Sequence, residues 1–205
     1  GGAEGVGGAL PSAVGVPLPL PPPGGKAVAE ALRGDGLKHV FLLSDGTNVN
    51  GSELVRGLYS VLDAGITVTG GLAGDGADFA RTLVGVDAAP TQKQIAADGF
   101  YGDAIQVGYG SVGGWTPFGP ERRITRSHDN ILYELDGKPA LDLYRQYLGE
   151  DGAQLPRDAL QFPLCIRPEG AGAEHDIVRT ILSVDEASKA LTFAGDIPEG
   201  YTARL

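Results

Sequence analysis

"HVFLLSDGTNVNGSELVRGLYSVLDAGITVT", His39 to Thr69, decides the fold. It opens on a continuous apolar run, His39 to Leu43, of the kind expected for a strand covered on both faces. A polar loop, "SDGTNVNG", follows. "SELVRGLYSVLD" then sets Leu54, Val55, Leu58 and Leu62 at helical spacing, with Asn50 and Glu53 placed as a capping box at its start. "GITVT", Gly65 to Thr69, reads as a second, β-branched strand. Strand, helix and strand within about 30 residues make a βαβ unit, whose strands run parallel with a right-handed crossover.

Parallel strands end at one edge of their sheet, which is where open α/β sheets take ligands. The loops after Leu43 and after Thr69 are therefore expected side by side. The second loop, "TVTGGLAGDGADF" (Thr67 to Phe79), carries four glycines and two aspartates. It matches no phosphate loop: Ala77 and Asp78 stand where a Walker A motif needs Lys and Ser or Thr, and G-x-G-x-x-G is absent. Asp75 and Asp78 would repel a phosphate unless a metal intervened. With Asp45 from the first loop, the expected pocket combines carboxylates for an ammonium with free peptide N–H groups for a carboxylate, a mixture that suits a zwitterion. The alternative is that the glycines serve tight turns and the aspartates cap them. The residues expected to line the pocket are Ser44, Asp45, Thr47, Asn48, Gly70, Gly71, Gly74 and Asp75, with Trp115 from "GGWTPFGP" as a wall or lid. The plainer reading of that aromatic segment is core filling.

The 205 residues suffice for one large domain or two small ones. A net charge of −10, with no basic run longer than Arg122-Arg123, leaves no face for nucleic acid. No apolar run approaches the roughly 20 residues of a membrane span, so no membrane insertion is expected. The one cysteine, Cys165, excludes an internal disulfide and fits a reducing compartment. The chain has no methionine and starts Gly-Gly, as expected of part of a longer protein.

Residues 1–25 are rich in Gly, Ala and Pro and read as an extended or disordered lead-in. "KAVAEALR" follows as a short helix. Beyond Phe79, "RTLVGV", "AIQVGYG", "RRITRS" and "NILYELDG" look strand-like. "PALDLYRQYLG" reads as a helix from Pro139 to a Gly149 cap. "IVRTILSV", the turn "DEASK" and "ALTFAGDI" read as an antiparallel hairpin. The expected fold is α/β to α+β: a mixed sheet with an N-terminal parallel βαβ unit, followed by a strand-rich, partly antiparallel half, with a boundary near residue 125.

Catalytic signatures are thin. Thr47 stands where a dehalogenase-type aspartate nucleophile at Asp45 would have its second aspartate. Ser111 lies in "GYGSVGG", which lacks the order of a nucleophile elbow. His39, His128 and His175 have no metal-ligand spacing, so neither metal nor cofactor is expected.

The ordered set "FLLSDGTNVNGSELVRGL", "TGGLAGDGADF", "GSVGGWTPFGP", "NILYELDGKPALDLYRQYLG", "FPLCI" and "VRTILSVDEASKALTFAGDIPEG" resembles the FIST family, sensory domains of bacterial signalling proteins and of some eukaryotic F-box proteins. It spans about residues 35–202. The resemblance implies an N-terminal FIST-like domain over 26–125 and the start of a C-terminal one over 126–205. Family members carry further strands where this chain has its lead-in, and continue beyond Leu205. The resemblance also implies a cytoplasmic sensor that binds a small ligand, such as an amino acid or related metabolite, and passes the signal to a downstream protein. The alternatives are a hydrolase or transferase using Asp45 or Asp75, and a purely structural or interaction module.

Overall fold

A computed structural model of the chain describes residues 12–17, 24–76, 78–110, 113–152 and 155–205. They fall into two units. The first holds the residues up to Asn48, Glu53–Ala73, and the stretch from Thr82 to residue 110. The second holds Val49–Ser52, Gly74–Arg81, and everything from residue 113 on.

The first unit is built on a four-stranded sheet in the order β1-β4-β2-β3. Its strands are β1 (Ser12–Pro17), β2 (Leu37–Ser44), β3 (Thr67–Leu72) and β4 (Gln94–Tyr101). β2 and β3 are parallel, with His39 opposite Thr67 and Ser44 opposite Leu72. The helix between them, α2 (Gly51–Tyr59), completes the expected βαβ unit. The Asn50 side chain accepts the Ser52 N–H at 2.9 Å and so caps α2. β4 runs antiparallel to both β2 and β1, which makes the sheet mixed.

Helix α1 (Gly24–Leu32) buries Val28, Ala29 and Leu32, and Leu54, Leu58 and Leu62 of the α2 region are buried as well. The sheet face carrying Val40, Leu42, Ile95 and Ala97 is buried with them. Alternation sends His39, Phe41 and Leu43 to the other face. There Phe41 is 39% and Leu43 44% exposed, so β2 is covered on one face rather than two. An apolar run alone cannot tell a strand buried twice from one whose second face stays half open. Val55, expected on the buried stripe of α2, is also exposed.

Two strands of this unit escape the sequence reading. β1 arises inside the Pro-rich lead-in, the rest of which, as far as residue 23, lies outside the described residues. β4, "QIAADGFY", reads poorly as a strand because three of its four buried positions are the small Ala96, Ala97 and Gly99, with only Ile95 large. Conversely, "RTLVGV" forms only a single bridge from Val84 to Thr91, and "AIQVGYG" forms no strand.

The second unit contains an eight-stranded antiparallel sheet, β10-β11-β6-β5-β12-β8-β9, with β7 also on β6. Its strands are β5 (Arg122–His128), β6 (Ile131–Leu135), β7 (Lys138–Pro139), β8 (Leu164–Arg167), β9 (Ile177–Arg179), β10 (Ile181–Asp185), β11 (Ala190–Phe193) and β12 (Thr202–Arg204). "IVRTILSV" is not one strand. It breaks at Thr180, sending β9 to one end of the order and β10 to the other. A single residue cannot span a flat sheet of this width, so the sheet must curl until its edges approach.

Helix α3 (Ala140–Leu148) packs into the concave side with Leu141, Leu143, Tyr144 and Leu148. Pro139 is the residue before its first turn, and Gly149 ends it at φ 56°. Ile124, Leu132, Leu164, Ile166, Leu191, Phe193 and Ala203 complete the core. Three short 3-10 turns, at Gly149–Gly152, Arg157–Leu160 and Ala173–His175, lie in the connections.

Candidate functional site

The site grows from the ends of β2 and β3. Because these strands are parallel and adjacent, their exits stay together: the Ala73 N–H donates to the Ser44 carbonyl at 2.7 Å. The approach is so close that two glycines are obligatory. At Gly70 a Cβ would lie 1.7 Å from the Leu42 carbonyl oxygen, with φ at +148°, and at Gly46 it would lie 2.1 Å from the Ala73 oxygen. Gly70 and Gly71 therefore belong to β3 itself, not to a loop beyond it.

Asp45 is fully buried at this junction. Its Oδ1 accepts from the Thr47 N–H at 2.8 Å, the Thr47 hydroxyl at 3.0 Å, the Asn48 N–H at 3.1 Å and the Thr82 hydroxyl at 2.5 Å. Its Oδ2 accepts from the Asn48 side-chain amide at 3.0 Å and the Lys93 N–H at 2.6 Å. Burial alone would raise the pKa of this carboxyl. The hydrogen bonds from Thr82, Lys93, Thr47 and Asn48 outweigh burial and hold it well below the ordinary carboxylate range.

Six donors exhaust the oxygens. Asp45 thus organises the end of β2, the turn at 46–48 and both feet of the Thr82–Lys93 excursion. Its carboxylate has no free lone pair for an ammonium and holds no proton near neutral pH to give as an acid. Ser44, also buried, hydrogen-bonds from its hydroxyl to the Asp45 carbonyl at 3.3 Å.

The expected site residues therefore divide. Ser44, Asp45, Thr47, Asn48, Gly70 and Gly71 come together in the first unit. Gly74, Asp75 and Trp115 belong to the second. There the partly exposed Asp75 accepts the Arg81 N–H at 2.7 Å and the Ala80 N–H at 2.8 Å. Those two bonds, Arg81 first, lower its pKa. This is the turn-capping role that was the alternative for the aspartates.

Trp115 is 51% and Phe118 50% exposed, so this aromatic pair does not fill the core. Ser111 lies outside the described residues.

Sequence reasoning missed Thr82 and Lys93, which stand 37 and 48 residues from Asp45 and give no local signal. It also passed over His39. That ring is buried with Nδ1 2.7 Å from the Thr67 hydroxyl and Nε2 2.9 Å from the Thr69 hydroxyl, and it packs beside Phe100. The alternation Thr67-Val68-Thr69 was the available clue, since it sets two hydroxyls on one face of a strand. Among the described residues no three His, Cys, Asp or Glu side chains converge as metal ligands, and no helix is long and apolar enough to cross a membrane.

A mixed sheet with a βαβ unit, followed by a strand-rich antiparallel unit, is the arrangement that the ordered sequence segments led us to expect. The family comparison decides the matter: the FIST N domain model matches residues 12–138 and the FIST C domain model residues 140–205. The chain belongs to the FIST family. FIST domains are sensory domains of signal transduction. The FIST N match begins at the first residue of β1, so it takes in the strand that the lead-in concealed. The FIST N match also includes β5, β6 and the first residue of β7, which pair within the second sheet. Neither a curated protein nor a solved structure matches the chain.

Proposed function

We propose that this chain is the sensory part of a bacterial, cytoplasmic signalling protein and takes a small ligand, of the amino-acid or related metabolite class, at the rim formed by the ends of β2 and β3. The two FIST matches, in order along the chain, carry the reading. The rim supports it physically, because open α/β sheets take ligands at the carboxyl ends of their strands.

Asp45 contributes as an organiser. It fixes the loop at 46–48 while the ligand meets the exposed backbone around Gly71 and the partly exposed Thr47 and Asn48. A rim pre-organised in this way loses little entropy when the ligand binds. Binding would bias the conformation that a downstream protein reads.

Calorimetric titration of the full chain with the common amino acids and related amines and carboxylates tests the proposal. One chemical class is expected to bind saturably. Gly71→Val should weaken that binding without changing the melting temperature, because a Cβ at Gly71 meets nothing within 4 Å. Silence across the whole panel on a demonstrably folded protein overturns the reading.

A further inference from the structure

Alternation on β8 and β12 sends Ile166 and Ala203 into the core, 1% and 2% exposed, so their neighbours face outward. On that outer side Thr202 stands between two arginines, Arg123 on β5 and Arg167 on β8. Two residues further along β12, Arg204 stands opposite Cys165. Three arginines therefore gather around one threonine on a single sheet face, although like charges on adjacent strands ordinarily repel.

Their partners are unequal. Arg123 reaches Glu169 at 3.6 Å, and Arg167 reaches Glu121 at 3.5 Å and Asp176 at 3.4 Å. All three distances exceed the 2.7–2.9 Å of a closed guanidinium–carboxylate fork. Arg167 nevertheless keeps only 17% of its side chain exposed. Among the described residues Arg204 has no ion pair, and its Nε is buried without a hydrogen-bond partner. The Asp176 Oδ1 is buried without a hydrogen bond too, although it keeps its ion pair with Arg167. Arg204 as a whole is half-buried and feels the charge of Glu121, but an N–H removed from water without an acceptor is costly, and such a donor calls for a partner.

The geometry points to a second ligand site, separate from the β2–β3 rim: a small carboxylate held by Arg204 on the outer face of β8 and β12, with Arg167 and Thr202 beside it. The planar fork of arginine matches a carboxylate, whose two oxygens would take the free Nε–H and a neighbouring Nη–H. The flanking Glu121, Glu169 and Asp176 balance the three arginines in charge, which disfavours a dianion such as phosphate. Cys165 adds no competing charge. Burial, and then the adjacent Asp176, push its thiol up to about 11, so it stays protonated at neutral pH.

Arginine Nε–Hε NMR signals of the full chain, titrated with acetate, glycine and inorganic phosphate, test the assignment. Arg204→Lys identifies the Arg204 signal, keeps the charge and removes the fork. The expected result is a saturable shift of the Arg204 signal with acetate or glycine and a weaker one with phosphate. Binding should weaken at least about tenfold in Arg204→Lys, measured by the Arg167 signal, at an unchanged melting temperature. Tighter binding of glycine than of acetate would add Asp176 as the ammonium partner. Arg126→Gln, on β5 but paired with Glu134, should leave the titration unaltered. Shifts that rise linearly without saturation, that follow phosphate most strongly, or that survive Arg204→Lys overturn the site. Because the β2–β3 rim shares no residue with this cluster, either site can fail while the other stands.

Discussion

Asp45 and Asp75 stand in similar company, each beside glycines and just after a parallel strand, yet the structure uses them in opposite ways. Asp45 is buried and collects six hydrogen bonds from four residues spread between positions 47 and 93. Asp75 is far more open and collects two bonds from residues five and six positions on. Both carboxyls are held below their ordinary pKa, but only for Asp45 is burial the largest single effect that the bonds must overcome. The difference shows that a carboxylate in a glycine-rich loop is not by itself a ligand contact. What separates an organiser from a turn cap is how many distant segments its oxygens tie together.

Removing the two carboxylates in turn puts this contrast under the most strain. Asp45→Ala leaves buried donors at Thr82, Lys93 and Asn48 without an acceptor, and should cost about 3–5 kcal/mol in urea unfolding. Asp45→Asn should cost about 2–3 kcal/mol. Donors face both Asp45 oxygens, so either orientation of the new amide points its NH2 at an N–H or O–H. A loss below about 1 kcal/mol for Asp45→Ala would show that the network is not closed, and would return Asp45 to the list of ligand contacts.

Acid titration extends the contrast through His39, a buried polar group on β2, the strand that ends just before Asp45. Burial holds its imidazole below the ordinary 6.5, so the unfolded chain binds a proton first as pH falls. The His39 contribution is therefore complete above about pH 6.5 and shrinks below it, towards the lower folded value. Asp45 has the same sign in a lower window: its contribution is complete well above the ordinary 3.8 and is lost as pH falls through it. Stability measured against pH should fall in two stages. His39→Asn should remove the upper stage and Asp45→Asn the lower one. A single stage common to both variants would contradict the assignment.

The legible part of this molecule was whatever local periodicity encodes. The stripe Leu54, Leu58 and Leu62, the Asn50 cap and the β-branched start of β3 sufficed to place the βαβ unit, and the turn "DEASK" placed β10 against β11. What stayed hidden is non-local. β4 uses alanine and glycine at three of its four buried positions, where most strands use branched residues. The break at Thr180 follows from a demand to pair at both ends of one curled sheet, and nothing in "IVRTILSV" announces it. At the candidate site the sequence supplied Asp45, Thr47 and Asn48. Thr82 and Lys93, which turn Asp45 from a ligand contact into a structural tie, could come only from the fold.

The smallest effect is expected at Asp75. Asp75→Asn removes a charge that faces water and is screened there, and the amide oxygen can still accept the Ala80 and Arg81 N–H groups. Its melting temperature should match that of the unaltered chain within error. Asp75→Ala removes the acceptor as well, so the amides of Ala80 and Arg81 should exchange with solvent faster while the core of either unit remains protected. Hydrogen exchange read residue by residue separates the two outcomes. Faster exchange confined to the turn marks Asp75 as a local cap. Loss of protection spreading into β5 or α3 would mean that the more open aspartate, like the buried one, holds distant segments together, and the distinction between the two loops would collapse.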